Sequence, residues 1–276
     1  MKTLLVGLLL VFVSGLGVLN AQKLEKVWES SAELQTPESV LFDEDNDMMY
    51  VANINGDPSA KDGNGFISIL NADGSAKELE WVTGLDAPKG MAMYEGKLYV
   101  SDIDRLVEID IESGRIVSRF HAANAVFLND VAACNNGMIL VSDTRTAKIH
   151  ALINGSLTVW MEGEPLETPN GLFTEMGKLY IGDQNIYEVD MKTKEISKII
   201  ADAGGVDGLE KNNAGEFVYS NWPGRVFVHR NGKSVKVLDT TADEIKTADL
   251  DFALKHDLVL IPTFFDNKVV AYKIVD

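Results

Sequence analysis

A short turn that leads into a strand recurs six times along the chain, and this repeat limits the possible folds more than any other feature. Two of the turns are Thr36-Pro37-Glu38-Ser39 and Thr168-Pro169-Asn170-Gly171. The third residues of the six turns lie 37 to 51 positions apart and are Glu38, Lys89, Asn129, Asn170, Asp207 and Ala248. A period of about 40 residues with strand-like content is typical of a β-propeller, which has one blade per repeat. The third residues should then form a ring around the central channel, where the innermost strands begin.

Each repeat contains further strand patterns, and none shows a sustained helical period. The second strands, such as 98–102 and 179–183, are dense in β-branched and aromatic residues, which suits strands buried between blades. The sixth repeat lacks an outer strand, whereas the segment 24–28 has an outer-strand pattern and no repeat of its own. Pairing of this segment with the last blade would close the ring. We therefore predict an all-β fold over residues 22–276, a six-bladed β-propeller closed by the N-terminal strand.

Residues 1–21 have the pattern of a secretory signal peptide. Lys2 is the only charged residue before an uncharged, largely apolar stretch that ends near Ala21, and a segment of this kind is cleaved on export. A retained membrane anchor is the alternative, because the stretch is long enough to span a bilayer. Cleavage is favoured because glycines and a serine interrupt the stretch and no basic cluster follows it. The expected location is periplasmic or secreted, with no stable membrane insertion after cleavage.

The charge and the cysteine content exclude some classes of protein. The formal net charge is −17, and an acidic surface repels phosphate backbones, so nucleic acid is not an expected partner. Cys134 is the only cysteine, so an internal disulfide is not expected. Stability must come from packing, and a chain of this length can bury an ample core as one domain. The sequence indicates no particular oligomeric state.

The first repeat is the longest, and its extra length lies in the loop 54–65. If all inner strands begin on one face, the loops between second and third strands return to that same face. The loop 54–65 would therefore overhang the ring as a lid or rim, since long connections are often functional. A mobile surface turn is the alternative.

Two carboxylates, Glu38 and Asp207, are expected to face one narrow channel. Two like charges about 4 Å apart repel each other by roughly 4 kcal/mol at an effective dielectric of about 20. A hard divalent cation bound by both carboxylates and by the amide oxygens of Asn129 and Asn170 would remove this repulsion, and such an oxygen-rich shell favours Ca²⁺. Two alternatives stay open. Lys89 could be the counter-cation without a metal, or the polar side chains could only bond neighbouring backbone amides.

Four of the motifs resemble those of the senescence-marker protein (regucalcin)/gluconolactonase/luciferin-regenerating-enzyme family. The motifs are Thr36-Pro37-Glu38-Ser39-Val40, Leu128-Asn129-Asp130, Pro169-Asn170-Gly171-Leu172 and Val206-Asp207-Gly208-Leu209. That family consists of six-bladed propellers whose divalent cation is held by a Glu of blade 1, an Asn of blade 4 and an Asp of blade 5, with a further Asn of blade 3. The resemblance extends over the whole mature chain. It implies that Glu38, Asn170, Asp207 and Asn129 form a metal site.

One position departs from the pattern of the family. Its sugar-lactonase members carry an Arg two residues before the blade 3 Asn, where the Arg contacts substrate, and here that position is Phe127. The resemblance therefore does not extend to a sugar lactone as substrate. Asp102, Asp143 and Asp183 end second strands, and we expect them to cap the turns that follow. The candidate contacts to a small-molecule substrate in this chain are Lys89, Phe127, Arg105, Arg145 and Trp222.

Two functional hypotheses follow from the sequence. The first is a secreted or periplasmic calcium-dependent hydrolase of a lactone or related ester. Calcium would polarise the carbonyl and stabilise the oxyanion, and a carboxylate would act as the base, with Asp207 as the first candidate and Asp130 as the second. The second hypothesis is a non-catalytic propeller that binds a protein or glycan through the face of the ring. The position of Lys89 within the ring and the absent substrate Arg favour this second hypothesis.

Overall fold

The computed structural model describes residues 22–30 and 33–275, and the predicted signal peptide, residues 1–21, lies outside the described residues. The described residues form 24 strands in six four-stranded sheets, with two short 3-10 turns at Thr241–Asp243 and Phe264–Asp266. This confirms the prediction of an all-β, six-bladed propeller. Within the described part of the chain, no helix is long and apolar enough to cross a membrane.

In blades 1 to 5, four consecutive strands form an antiparallel sheet from the inner to the outer edge. Blades 1 to 3 are β2 (Pro37–Asp43), β3 (Met48–Asn53), β4 (Gly65–Asn71) and β5 (Ala76–Leu85); β6 (Pro88–Tyr94), β7 (Lys97–Asp102), β8 (Arg105–Asp110) and β9 (Arg115–His121); and β10 (Leu128–Ala133), β11 (Ile139–Asp143), β12 (Lys148–Ile153) and β13 (Ser156–Glu162). Blades 4 and 5 are β14 (Leu172–Glu175), β15 (Lys178–Gly182), β16 (Ile186–Asp190) and β17 (Ile196–Ile200); and β18 (Leu209–Lys211), β19 (Phe217–Asn221), β20 (Arg225–Arg230) and β21 (Lys233–Asp239).

Blade 6 combines strands from both ends of the described chain. Its inner strands are β22 (Asp251–Ala253), β23 (Leu258–Pro262) and β24 (Val269–Val275). The strand β1 (Lys23–Glu29) pairs antiparallel with β24 and is the outer strand of this sheet. Every blade therefore has four strands, although only three strands follow the sixth turn in the sequence.

The hydrophobic core lies between successive blades. In β3, Tyr50 packs with Leu98 of blade 2, whereas its neighbour Met49 packs with Leu260 of blade 6. Successive side chains of a strand point to opposite faces of its sheet, so each inner strand contributes to two blade interfaces. This explains why the second strands are apolar at nearly every position.

Hydrogen bonds also join the blades at the level of the ring. The Ser101 hydroxyl of blade 2 donates to the Asn129 carbonyl oxygen of blade 3. The Ser220 hydroxyl of blade 5 donates to the Ala248 carbonyl oxygen at 2.8 Å, and the Asp249 N–H donates to the Glu38 carbonyl oxygen at 3.0 Å. These bonds fix the backbone of ring residues relative to the preceding or following blade.

Candidate functional site

A cavity of about 470 Å³ contains the polar side chains of the ring. Five of the six ring residues line it, namely Glu38, Lys89, Asn129, Asn170 and Asp207. The loop 54–64 between β3 and β4 contributes Ile54 and Pro58 to the same cavity. The chain therefore brings together residues that are separated by about 170 positions, as the repeat predicted.

Irregular strand pairing aims three of these side chains into the cavity. The register between β2 and β3 shifts at Glu38, the register between β6 and β7 shifts across Lys89, and the register between β10 and β11 shifts across Asn129. A β-bulge leaves an unpaired residue and turns its side chain away from the regular alternation. The three inner strands thus begin with a residue that is available to the channel.

Carboxylates at the ends of the second strands hold the loops that carry the ring. Asp102 accepts bonds from the N–H groups of Asp86 and Ala87, and Asp143 accepts bonds from those of Val126 and Phe127. Asp183 binds the N–H groups of residues 167 and 168 in the same way. These aspartates were predicted to cap the following turn, and contacts of this kind occur from the Gln184 N–H to Asp183 at 2.6 Å and from Arg105 Nε to Asp102 at 3.0 Å. In the structure they also bind the loop before the inner strand of their own blade, which the sheet places beside them.

Two ring oxygens are buried without a hydrogen-bond partner among the described residues: Glu38 Oε2 and Asn170 Oδ1. The other amide atom of Asn170, Nδ2, donates to Asp207 Oδ1 at 2.6 Å, which turns Asn170 Oδ1 away from this carboxylate. Asn129 is oriented by a bond of 3.2 Å from Nδ2 to Thr144 Oγ1. An unpaired buried acceptor costs about 1–3 kcal/mol. Two carboxylates and two amide oxygens are the ligand types that calcium prefers, so this set fits a hard divalent cation.

Burial raises the pKa of both ring carboxyls. The pKa of Glu38 lies well above its usual range because the group is desolvated and the Asp207 charge is near, although Lys89 opposes this shift. Burial raises the pKa of Asp207 to about 7, and the bond from Asn170 partly offsets the rise. Without a cation, the two carboxyls therefore retain protons at a pH at which exposed carboxyls are ionised.

Lys89 is the one cationic side chain that lines the cavity in the described part of the chain. It is 1% exposed, and its Nζ donates to the carbonyl oxygens of Ala87 at 2.9 Å and Pro58 at 3.1 Å. Burial lowers its pKa to about 8, while the nearby Glu38 charge favours the ammonium form. An ammonium has three N–H donors. The Lys89 Nζ also lies 4.5 Å from the centroid of the Phe127 ring, so its third N–H can face this ring, Glu38 or a ligand in the cavity.

Asp130, the second candidate for the base, does not line the cavity. Its carboxylate accepts bonds from the N–H groups of Val131 and Leu172, and the latter bond joins blade 3 to blade 4. Burial raises its pKa to about 7, with a further contribution from Asp207. Its bonds give Asp130 a role in holding the inner strands.

The other predicted substrate residues occupy different positions relative to the cavity. Phe127 and Trp222 line it, and the guanidinium of Arg145 stacks 4.2 Å from the centroid of the Phe127 ring. Arg105 lies outside the cavity wall, where it forms ion pairs with Asp86 and Asp102. The structure therefore places Phe127 and Trp222 in the cavity, Arg145 against the Phe127 ring and Arg105 in ion pairs beside the loop that contains Asp86.

The sequence reasoning missed two aromatic residues of the cavity, Phe264 and Phe265. They follow β23, in a loop between the second and third strands of blade 6. The rule that placed the loop 54–65 on the ring face applies to this loop as well, so the signal was present. Thr144 and Thr168 also line the cavity. Thr144 lies in the corresponding loop of blade 3 and Thr168 in the turn that carries Asn170, so the same pattern indicated the ring face for both.

Among residues 22–30 and 33–275, no cluster of three or more His, Cys, Asp or Glu side chains is placed to share a metal. A site at the ring therefore depends on the amide oxygens of Asn129 and Asn170 as well as on its two carboxylates.

Solved structures similar to this chain share its fold at low sequence identity. A streptogramin B lyase structure matches with a TM-score of 0.68 and 14% identity over 92% of this chain and 98% of that one. A catalytically inactive virginiamycin B lyase from Staphylococcus aureus with quinupristin matches with a TM-score of 0.64 and 12% identity over 92% and 100%. A candidate gluconolactonase matches with a TM-score of 0.64 and 14% identity over 92% of both chains. A scan against protein-family models and a search of the curated proteins give no match.

Proposed function

We propose that this protein is a calcium-dependent hydrolase of a lactone or related ester. The observation that carries the proposal is the pair of buried, unpartnered oxygens, Glu38 Oε2 and Asn170 Oδ1, in a cavity that also holds Asp207 and Asn129. A divalent cation at these oxygens would offset the cost of burying them and would balance the two carboxylate charges. The similarity in fold to a candidate gluconolactonase agrees with the proposal.

The bound cation would supply a Lewis acid that polarises the carbonyl of the substrate and balances negative charge on its oxygen. The side chains of the cavity would do the remaining work. The Asp207 carboxylate lines the cavity and can accept a proton from the attacking water. Asn170 holds Asp207 in place through the bond of 2.6 Å. The remaining N–H of Lys89 is available to an oxygen of the substrate.

The proposed hydrolysis has two steps, addition of water and loss of the alkoxy group. The water oxygen forms a bond to the carbonyl carbon while the water proton moves to Asp207. The bond between the carbonyl carbon and the alkoxy oxygen then breaks, and the proton moves from Asp207 to that oxygen. A lactone yields a hydroxy acid. Asp130, the second candidate for the base, does not line the cavity and has both carboxylate oxygens bonded to backbone N–H groups, so the proposed reaction uses Asp207.

The proposed site of action is the periplasm or the exterior of the cell, and the support for it is the signal-peptide pattern of residues 1–21. Calcium is abundant outside the cytosol, and extracellular calcium sites function with dissociation constants of about 10⁻⁴–10⁻³ M.

A second candidate function is a non-catalytic binding propeller, and the burial of Lys89 beside Glu38 favours it. In this case the ammonium of Lys89 would balance the ring carboxylates, and no metal would be needed. The occupant of the cavity would then be a protein or glycan ligand.

Calcium-dependent turnover tests the proposed function. We expect the purified protein to hydrolyse at least one compound in a panel of lactones and aryl esters, with activity at least tenfold higher in calcium than after chelation. Proton release at constant pH measures turnover for every compound in the panel. A protein that contains about one calcium per chain and turns over none of the panel would contradict the hydrolase. A protein without bound calcium would favour the binding propeller.

We also expect the affinity for calcium to decrease as the pH falls from 8 to 6. Protons and calcium compete for the same carboxylate oxygens, and burial raises the pKa of Asp207 to about 7. For a group with this pKa, the ionised fraction falls about tenfold between these two pH values, so the dissociation constant should rise about tenfold or more. Isothermal titration at the two pH values measures the change. Equal affinities would show that the site carries no protonated carboxyl in this range.

A further inference from the structure

Three aromatic side chains form one wall of the cavity: Trp222, Phe264 and Phe265, hereafter the aromatic wall. The ring centroids of Phe264 and Phe265 are 4.7 Å apart at an interplanar angle of 88°. Trp222 lies 5.7 Å from Phe264 and 6.3 Å from Phe265, also edge to face. Such geometry is the preferred packing of aromatic rings, so the three rings form one continuous apolar surface.

Two of the three side chains of the aromatic wall are exposed, which is unusual for aromatic residues of this protein, whereas Phe264 is buried. Trp222 is 40% exposed and Phe265 is 63% exposed. On the part of the chain that the structure describes, they are the two aromatic residues among the exposed large hydrophobic side chains, and both line the cavity. Exposed apolar surface within a concave site is typical of a contact surface for a ligand.

The backbone holds the aromatic wall in place. Phe264 has a φ of +54°, a left-handed conformation that bulky side chains rarely adopt and that often occurs at ligand sites. The turn is closed by a bond of 3.1 Å from the Asn267 N–H to the Phe264 carbonyl oxygen. Asn267 also accepts a bond of 2.8 Å from the N–H of Thr36, which lies two residues before Glu38. The same contact thus positions the aromatic wall and the start of the ring.

The cavity therefore combines two kinds of surface. The ring residues present carboxylate, amide and ammonium groups, whereas the aromatic wall, together with Ile54, Phe127 and Val206, presents hydrocarbon. A sugar lactone carries hydroxyl groups around its ring, and these groups need hydrogen-bond partners when they are buried. A hydrocarbon substituent needs none and gains from leaving water.

We propose that the substrate is a lactone or ester with a large apolar substituent, an alkyl chain or an aryl group, that packs against the aromatic wall while the carbonyl lies at the ring. This inference rests on the proposed function, because it assigns a substrate class to the same site. The position of Phe127 agrees with it, since an apolar ring occupies the place of the Arg that contacts a sugar lactone in the resembling family.

A series of δ-lactones with the same reacting ring tests the substrate class. The compounds are δ-valerolactone, δ-decalactone, which adds a pentyl chain, and glucono-δ-lactone, which adds hydroxyl groups. Burial of one methylene favours binding by about fourfold, so we expect kcat/KM to be at least about 20-fold higher for δ-decalactone than for δ-valerolactone. Glucono-δ-lactone should be the poorest of the three. A glucono-δ-lactone preference, or equal values for the two alkyl compounds, would overturn the inference.

Replacement of Phe265 assigns the preference to the aromatic wall. Phe265→Ala should lower the δ-decalactone to δ-valerolactone ratio at least fivefold, whereas Phe265→Leu, which keeps an apolar side chain, should retain most of it. Phe265 is 63% exposed, so neither variant removes a buried core residue. Val117→Ala is the matched control, because Val117 is an exposed apolar residue of β9 outside the cavity, and it should leave the ratio unchanged.

Binding of lactams separates this inference from the proposed function. δ-Valerolactam and the corresponding 6-pentyl lactam resemble the lactones but resist hydrolysis, and titration calorimetry measures their affinities with or without calcium. We expect the pentyl compound to bind at least tenfold more tightly, and Phe265→Ala to remove this difference. If the preference is present but no lactone or ester is turned over, the hydrolase fails and the apolar ligand class stands. If turnover occurs without the preference, or if neither lactam binds, the apolar ligand class fails.

Discussion

Replacement of Asp207 with Asn is expected to abolish calcium binding and, with it, the proposed hydrolysis. The substitution keeps the size of the side chain and removes one of the two ring carboxylates that could balance a divalent ion. The bond between Asn170 Nδ2 and Asp207 Oδ1, 2.6 Å in the structure, can be retained by the Asn oxygen. The loss should therefore be electrostatic, and we expect calcium affinity to fall at least 100-fold. Elemental analysis of the desalted protein and calcium titration measure the change.

Glu38→Gln should have a similar effect, because Glu38 Oε2 is one of the two buried oxygens without a partner. Asp202→Asn provides the control: Asp202 is exposed in the loop before Asp207 and has a φ of +52°, which Asn tolerates. It should retain about one calcium per chain. If Asp207→Asn and Glu38→Gln both retain wild-type calcium content, the ring does not hold the metal. If the wild-type protein contains none, Lys89 or protons balance the carboxylates.

Gly208→Ala is expected to destabilise the fold more than any surface substitution. A Cβ atom at Gly208 would lie 2.2 Å from the backbone nitrogen of Leu250, in the neighbouring blade. The Gly208 N–H also donates to Ser220 Oγ at 2.9 Å, and the same hydroxyl donates to the Ala248 carbonyl oxygen. The clash is with backbone, so one of the two inner strands would have to move, and we expect a loss of about 3 kcal/mol. Urea unfolding, followed by circular dichroism, measures it.

Gly232→Ala separates this steric effect from the general cost of replacing a glycine. Gly232 has a φ of +74°, and a Cβ there would meet no atom within 4 Å. Left-handed strain alone should cost about 1–2 kcal/mol. Equal destabilisation by the two variants would show that the inner strands of blades 5 and 6 can separate at little cost in free energy. This result would contradict the close contact between Gly208 and the Leu250 backbone.

The architecture could be predicted from the sequence because every blade of a propeller must meet the same structural requirements. Each blade must begin an inner strand at the channel and bury the next strand between two neighbours. Accordingly, the same kind of turn and the same kind of apolar strand occur six times in the sequence. The ring residues Glu38, Asn129, Asn170 and Asp207 follow directly from that register, and the structure places all four in one cavity.

The side-chain contacts between blades could not be predicted from the repeat pattern. Arg105 and Arg145 have similar positions in their repeats, yet Arg105 pairs with Asp86 and Asp102 whereas Arg145 stacks on Phe127. Asp130 and Asp207 are acidic residues in equivalent turns of two blades, and they lie one position apart when the repeats are aligned. The bulge at β10 directs Asn129 into the cavity and leaves Asp130 to bind the Leu172 N–H of the next blade. A shift of one residue in a strand reverses the direction of a side chain.

The sequence by itself determined the number of blades, the positions of the ring residues and their chemical types, because local strand and turn patterns recur with a fixed period. Only the tertiary structure decided which oxygens lack partners, which charges are already paired and which aromatic side chains face the ring. Those properties depend on distances between blades, where residues from distant parts of the chain meet. Phe264 and Phe265 illustrate this: the strand order indicates that their loop lies on the ring face, but only the fold packs their rings with Trp222 as one wall of the cavity.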